Sequence, residues 1–364
     1  MTTQTHTVLG IETSCDETAA AVVRLEAGGQ ARVLSSIVAS QVAEHAPYGG
    51  VVPEIAARSH VEAIDAIVGR ALAEAGLGVA DLTGIAATAG PGLVGGVMVG
   101  LSFGKAMALA RGLPLVAVNH LEGHALSARL TADIPYPFLL LLVSGGHCQL
   151  LEVAGVGACK RLGTTIDDAA GEAFDKIAKS LGRPYPGGPA LEKRAVGGAA
   201  ERFPLPRSLL GRDDCDFSFS GLKTAAARIA VTLTTLEDRR DLAAAVQGAI
   251  ARQLIDRTAR AMRAYKQGHA PGNRRFVVAG GVAANGAVRA ALQDLAGAEG
   301  FSFAAPPLAY CTDNAAMIAL AGAERLAAGI SDGLEAVARP RWPLDEAAAR
   351  LSPTHVAGRK GAKA

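Results

Sequence analysis

Two histidines in His120-Leu121-Glu122-Gly123-His124 lie four residues apart, about one helical turn, so on a helix both imidazoles reach a single metal ion. The spacing by itself fits two capping or solvated histidines equally well. Glu122 points away from the histidine face and makes a poor companion ligand. Acids that could complete a site are Asp16, Glu17, Asp175 and Asp313. Asp313, in Cys311-Thr312-Asp313-Asn314 ahead of an apolar run, reads by position as a helix N-cap. Asp175 in GEAFDK and the run FSFSGLKT from Phe217 to Thr224 are odd polar placements that fit surface helix and loop.

Four glycine-rich turns could approach a phosphate. Gly90–Gly96 fits a phosphate cradle or simple helix–strand packing. Gly100–Ala106 imitates a Walker A loop but fails, because Val99 stands where the first glycine belongs and Ala106 replaces the magnesium-binding hydroxyl. Ser144-Gly145-Gly146-His147 offers backbone N–H groups and a hydroxyl at a hairpin turn. Gly280-Gly281-Val282-Ala283-Ala284-Asn285 is a strand–glycine–helix junction that favours negative charge. With the hydroxyl-rich and acidic turn from Glu12 to Thr18, the Ser144–His147 hairpin turn and the Gly280 junction point to a nucleotide in a cleft between domains.

The elements that must carry these residues repeat in order. Short apolar strands are predicted at Val8–Ile11, Ala19–Leu25 and Val33–Ala39. A helix over Pro53–Ala75, a strand at Gly84–Thr88, a helix ending near Arg111 and a strand at Leu115–Val118 follow. Phe138–Val143, Cys148–Val153 and a strand near Lys160–Leu162 form a second meander. Helices near 168–181 and 240–265, a strand at Arg275–Ala279, a helix to Leu295, a strand at Phe301–Ala304 and a helix near 313–328 complete it. The segment after Asp332, with RPRWP at 339–343 and GRKGAKA at the end, reads as an adherent tail that frays.

The chain of 364 residues is long enough for two domains, and its 50% apolar, aromatic-poor composition suits α/β packing. A formal charge of +2 gives no general field for nucleic acid, so RNA contact requires local patches. Five cysteines with no CxxC pair fit a reduced, cytoplasmic setting. No signal peptide and no membrane-spanning run is expected.

GIETSCDETAAAVV, HLEGH, LVSGGHCQL, GEAFDK, Pro186-Gly187-Gly188-Pro189, FSFSGLKT, VAGGVAAN and CTDNAAMIA occur in this order from Val8 to Gly329. This set resembles the TsaD (Gcp/YgjD) family of bacterial tRNA adenosine threonylcarbamoyltransferases. The resemblance implies an α/β, actin-like ASKHA fold of two RNase-H-like domains with a nucleotide cleft between them. The expected divisions are 1–133, with the metal-ligand helix, 134–335, and a tail at 336–364.

It implies one divalent metal on His120, His124 and Asp313, turning the cap reading of Asp313 into a ligand reading. Fe(II) is favoured and Zn(II) is the alternative. It also implies substrate contacts from Val143, Ser144, Gly145, Gly146 and His147, and from Asp175, Gly188 and Asn285. Asp16 and Glu17 are the first choices for a general base. The implied reaction carries a threonylcarbamoyl group from threonylcarbamoyl-AMP to the exocyclic amine of the adenosine beside the anticodon in tRNAs reading ANN codons, releasing AMP. Implied partners are tRNA, the TsaB paralogue and the TsaE ATPase, with no membrane. Arg274, Arg275, Arg339 and Arg341 could meet tRNA phosphate or be ordinary surface charge.

Three rivals stand beside this reading. An ASKHA-type ATPase or kinase would need a clear acid beside a magnesium–phosphate site. A zinc protease needs glutamate directly after the first histidine, where this chain has Leu121. A non-catalytic binding subunit is opposed by the intact His, His, Asp set.

Overall fold

The computed structural model describes residues 4–351, so the GRKGAKA end of the expected tail lies outside the described residues. β1 (His6–Glu12), β2 (Glu17–Leu25) and β3 (Ala31–Ser40) lead to a short α1 (Val42–His45), α2 (Pro53–Ala75) and β4 (Gly84–Gly90). α3 (Val94–Arg111), β5 (Leu115–Asn119) and α4 (His120–Leu126) follow. The second series runs β6 (Phe138–Val143), β7 (Cys148–Gly155), β8 (Ala158–Thr164), α5 (Ala170–Ser180), α6 (Gly187–Ala195) and α7 (Ser220–Ala230). It ends with α8 (Leu236–Gly268), β9 (Arg275–Ala279), α9 (Gly286–Ala298), β10 (Ser302–Ala304), α10 (Ala315–Ala327) and α11 (Glu346–Leu351).

The two sheets share one topology. The first has the order β3-β2-β1-β4-β5, and the second, β10-β9-β6-β7-β8, is the same order read from its other edge. In each, the leading strand pairs antiparallel with the next one and parallel with the strand that follows a helical crossover. Such a strand is covered on both faces, which explains the unbroken apolar run of β6, buried at every position. β3, at an edge, mixes buried and exposed positions instead.

The chain forms two compact units, but their division differs from the expected 134–335 span. Among the described residues, one unit takes in residues 4–135 with Gly155–Ala158 and Pro306–Glu346; the other takes in Tyr136–Ala154, Cys159–Ala305 and residues 347–351. The return of residues 306–346 is due to α10, which packs on β1, β2 and β4 and is buried along Ala315–Glu324. Its small side chains let it lie close to the sheet. A Cβ on Gly10 of β1 would sit 2.5 Å from the Ala319 backbone nitrogen. Because backbone cannot step aside, Gly10→Ala is expected to cost about 3 kcal/mol by overpacking. A urea midpoint equal to that of the unaltered protein would contradict this seating of α10.

Residues beyond α10 cover the edge strand β5. Asp332 N–H donates to Leu115 O and Ala117 N–H to Asp332 Oδ2, both at 2.8 Å. Further on, Arg339 N–H donates to Ala89 O (2.7 Å) and Asn119 Nδ2–H to the Trp342 carbonyl (2.9 Å). The Arg339 guanidinium stacks on Trp342 and pairs with Glu346, so it is committed within this unit. Among the described residues, no helix is long and apolar enough to cross a membrane.

Candidate functional site

α4 starts where β5 ends. Asn119 caps it, its Oδ1 accepting from Leu121 N–H at 2.9 Å, while its amide nitrogen is held by Trp342. All seven residues of α4 are buried. Gly123 lets the helix lie against α10, since a Cβ there would meet Ile318 Cδ1 at 2.8 Å. That packing delivers both imidazoles to the chain just ahead of α10. His124 Nε2 lies 3.0 Å from Asp313 Oδ1, and His120 Nε2 lies 3.5 Å from the same oxygen. One ligand atom from each of His120, His124 and Asp313 falls within 4.8 Å of the others. Two ligand atoms about 2.1 Å from one ion stand at most about 4 Å apart, so both contacts to Asp313 Oδ1 suit a single divalent cation, and a small side-chain movement brings the whole trio into range.

Asp313 does not cap α10. Asn314 does, accepting from Met317 N–H at 3.0 Å. The adjacent acid is thereby left to face the histidines. Asp313→Ala is accordingly expected to weaken divalent-metal binding, any stability cost coming from the lost contacts with His120 and His124 and not from a helix cap. Asn314→Ala should cost about 1 kcal/mol of stability. Thermal unfolding and chelator competition on both variants separate these roles. A large stability loss at Asp313 with unchanged metal affinity would restore the cap reading.

Glu12, at the end of β1, is a functional residue that the motif reading passed over. Its fully enclosed carboxylate accepts from Ser14 N–H (2.6 Å), Thr88 Oγ1–H (2.6 Å) and His120 Nδ1–H (2.9 Å). Burial opposes its charge, yet the His120 imidazole and its hydrogen bond hold it below the usual carboxylate range. In its neutral form, with the proton held on Nδ1 by Glu12, His120 would offer its Nε2 lone pair to a cation beside Asp313, the arrangement an outer carboxylate imposes on a ligating histidine. His120 itself is disfavoured as a cation by burial, but Asp313 and Glu12 outweigh this and push it up to about 9. The pocket therefore favours a positive charge. His124 Nδ1 is buried with no partner among the described residues, so that ring is held through Nε2 and packing.

Asp16 and Glu17 stand on the same turn, Asp16 buried and Glu17 half-buried. Burial first, then the charges of Asp313 and Asp16, push Glu17 up to about 10, so its carboxyl holds a proton at neutral pH. Glu122 is turned away as expected, accepting from Gly157 N–H (2.8 Å) and pairing with Arg325 (3.1 Å). Leu121, at the position where a zinc protease carries its base, is fully buried.

The other expected substrate residues belong to the second unit. Ser144–His147 form the tight turn between β6 and β7, closed by Ser144 N–H to His147 O (2.8 Å). Gly145 and Gly146 are exposed, and their N–H groups make no hydrogen bond among the described residues. Gly171 of α5 packs against this turn, where a Cβ would meet the Gly145 Cα at 2.7 Å. Gly280, at φ 95°, lets the glycine junction lie on the Val143 carbonyl carbon, 2.7 Å from where a Cβ would sit. The Val143 side chain is core, so its contribution to the turn is backbone. Asp175 accepts from Gly187 N–H (2.7 Å) and so fixes the start of α6, with Gly188 next to it in open space. Asn285 caps α9 through Val288 N–H and donates to Gln247 Oε1, both at 3.0 Å. The FSFSG run is the start of α7, held by Asp167, whose carboxylate takes Phe219 N–H (2.8 Å) and the Ser218 (2.5 Å) and Ser220 (2.7 Å) hydroxyls.

Residues 32–320 match the TsaD family model, described as tRNA N6-adenosine threonylcarbamoyltransferase. The chain is 77% identical over 357 residues to the protein of that name from Caulobacter vibrioides, covering 98% of this chain and 97% of that one. The chain belongs to the TsaD family. Another TsaD protein, from Maricaulis maris, is 60% identical over 362 residues, covering 98% of this chain and 96% of its own. TsaD proteins are transferases, which agrees with the expected enzyme class. The solved structure of HypF from T. kodakarensis matches with a TM-score of 0.56 at 15% identity, covering 88% of this chain and 47% of that one. That likeness concerns fold alone and bears out the expected actin-like ASKHA class.

Proposed function

We propose that this chain transfers the threonylcarbamoyl group from threonylcarbamoyl-AMP to the exocyclic amine of the adenosine beside the anticodon in tRNAs reading ANN codons. The observation that carries the reading is the convergence of His120, His124 and Asp313 with Glu12 behind them, in a chain whose relatives bear the transferase name. In this reaction the amine nitrogen bonds to the carbamoyl carbonyl carbon as the bond from that carbon to the AMP oxygen breaks. AMP leaves with the electron pair, and the amine proton passes to a base. AMP is a good leaving group, so positioning and charge stabilisation are what the protein must supply.

His120, His124 and Asp313 hold the divalent ion in this reading, Fe(II) by preference and Zn(II) as the alternative, since two imidazoles and one carboxylate suit both. When bound, the ion supplies Lewis-acid polarisation and orientation of the acyl-adenylate. The exposed N–H groups of Gly145 and Gly146, with Ser144 and His147, bind the adenylate phosphate. Val143, Asp175, Gly188 and Asn285 shape the remainder of the substrate site, Asp175 and Asn285 by holding the starts of α6 and α9. Asp16 is the base, because Glu17 already holds its proton. The partners are tRNA, a TsaB paralogue and a TsaE ATPase, and the compartment is the cytoplasm.

The test gives the purified protein preformed threonylcarbamoyl-AMP, unmodified tRNA and these partners, and follows modified adenosine by mass spectrometry together with AMP release. Modified adenosine equal in amount to AMP supports the reading. AMP release without modified tRNA would instead mark a hydrolase or an ASKHA-type ATPase. Metal analysis of protein purified without air decides between Fe(II) and Zn(II).

A further inference from the structure

The turn that carries Asp16 is tied down at consecutive backbone carbonyls. Ser14 O accepts from Leu93 N–H (2.8 Å), Cys15 O from His60 Nε2–H (3.1 Å) and Asp16 O from Gln41 N–H (3.0 Å). His60 differs from the other two anchors in being a side chain, fully buried on α2, whose orientation depends on further buried groups. Its Nδ1 faces Thr18 Oγ1 (2.8 Å) and Gln41 Nε2 (3.1 Å). Gln41 Oε1 in turn faces His45 Nε2 (3.2 Å), and His45 Nδ1 faces Val52 N–H (3.4 Å).

One proton arrangement satisfies this relay. Val52 N–H occupies His45 Nδ1, so the His45 proton sits on Nε2 and goes to Gln41 Oε1. The Gln41 amide then points its NH2 at His60 Nδ1, which leaves the His60 proton on Nε2, aimed at Cys15 O. Burial holds His60 below the ordinary imidazole range against the pull of the Cys15 carbonyl, Glu12 and Asp16, with His45 adding to burial. A charged His60 would set N–H against the Gln41 NH2.

We infer that His60 is a positioning residue for acyl transfer, fixing the Cys15 carbonyl and thereby the direction of the Asp16 carboxylate and the neighbouring Glu17 carboxyl, with Gln41 and His45 setting its tautomer. This rests on the reading that the acidic turn serves the transfer. No motif marks the relay, because Gln41 and His45 lie on the short α1 turn and His60 on α2, and each looks like ordinary surface polarity in sequence.

Two substitutions separate positioning from mere packing. In His60→Gln the amide nitrogen reaches the place of Nε2 and keeps the bond to Cys15 O, whereas in His60→Asn it reaches only the place of Nδ1. His60→Asn is expected to lower kcat roughly 100-fold, with KM for tRNA and Zn(II) affinity unchanged and faster hydrogen exchange at the Ser14–Glu17 amides. His60→Gln should recover most of the rate and the slow exchange. Should His60→Asn fail to fold, Gln41→Leu, which breaks the relay at similar volume, is expected to show the same faster exchange with a smaller loss of kcat.

A folded His60→Asn protein with wild-type kcat and exchange overturns the inference, as do equal losses in the Asn and Gln variants without a change in exchange. The paired variant Asp16→Asn with Glu17→Gln distinguishes the two levels. Its full activity would remove the reading of the acidic turn itself, while its inactivity beside an active His60→Asn protein defeats only the role given to His60.

Discussion

A protein carrying both His120→Ala and His124→Ala is expected to lose bound divalent metal and about three orders of magnitude in kcat/KM for tRNA, the several kcal/mol a Lewis acid contributes. The fold should survive. α4 keeps its Asn119 cap and its contact at Gly123, and Glu12 keeps Ser14 N–H and Thr88 Oγ1 as partners. The substitution removes the two nitrogen ligands and leaves Asp313, which cannot hold the ion alone. Metal content after gel filtration and single-turnover transfer report the two losses separately. Full transfer by this variant would sink the metal-assisted reading, whatever its metal content.

Glu12→Gln tests the same site from behind. Oε1 faces Ser14 N–H while Oε2 faces both Thr88 Oγ1 and His120 Nδ1, so an amide that turns its oxygen to Ser14 sets its NH2 against His120 Nδ1–H, a clash of donors, and the flipped amide sets it against Ser14 N–H. With the oxygen kept on the fixed Ser14 N–H, relief moves the His120 proton to Nε2, where it blocks the lone pair needed for the metal. Metal affinity should fall by about 10–100-fold, and transfer should fall with it at limiting metal and recover at saturating metal. Glu12→Ala leaves those three donors facing a buried gap and is expected to cost about 3 kcal/mol of stability as well. Chelator competition on the Gln variant is decisive, since an affinity equal to wild type would show that Glu12 holds the strand end and does nothing for the histidine.

Local pattern made some of this molecule legible and left other parts hidden. The Pro53–Ala75 helix and the Phe138–Val143 strand have the expected bounds, because a first-turn proline and a fully apolar central strand mark their own ends. The repeated meander could be read because each strand is short and bounded by polar turns. Asp313 and Asn314 are both good helix caps, and backbone conformation alone decides that Asn314 takes the cap while Asp313 turns to the histidines. Glu12 looked like the first residue of a polar turn. Its importance comes from β1 being central, so an acid at its end is enclosed and must find donors. The return of residues 306–346 to the first unit leaves no local mark, since an Ala-rich helix can pack on either sheet; Gly10 and Gly322, far apart in sequence, make room for it.

The central claim is that the α4 histidines and Asp313 hold one cation that acyl transfer requires. The most direct measurement strips the metal with a chelator, removes the chelator, and titrates Fe(II) or Zn(II) back while single-turnover transfer from threonylcarbamoyl-AMP to tRNA is recorded. The account predicts no transfer before addition, recovery that saturates at one metal per chain, and no recovery in Asp313→Ala at the same metal concentration. Transfer by the stripped protein at the full rate, or recovery in Asp313→Ala that matches wild type, would contradict it.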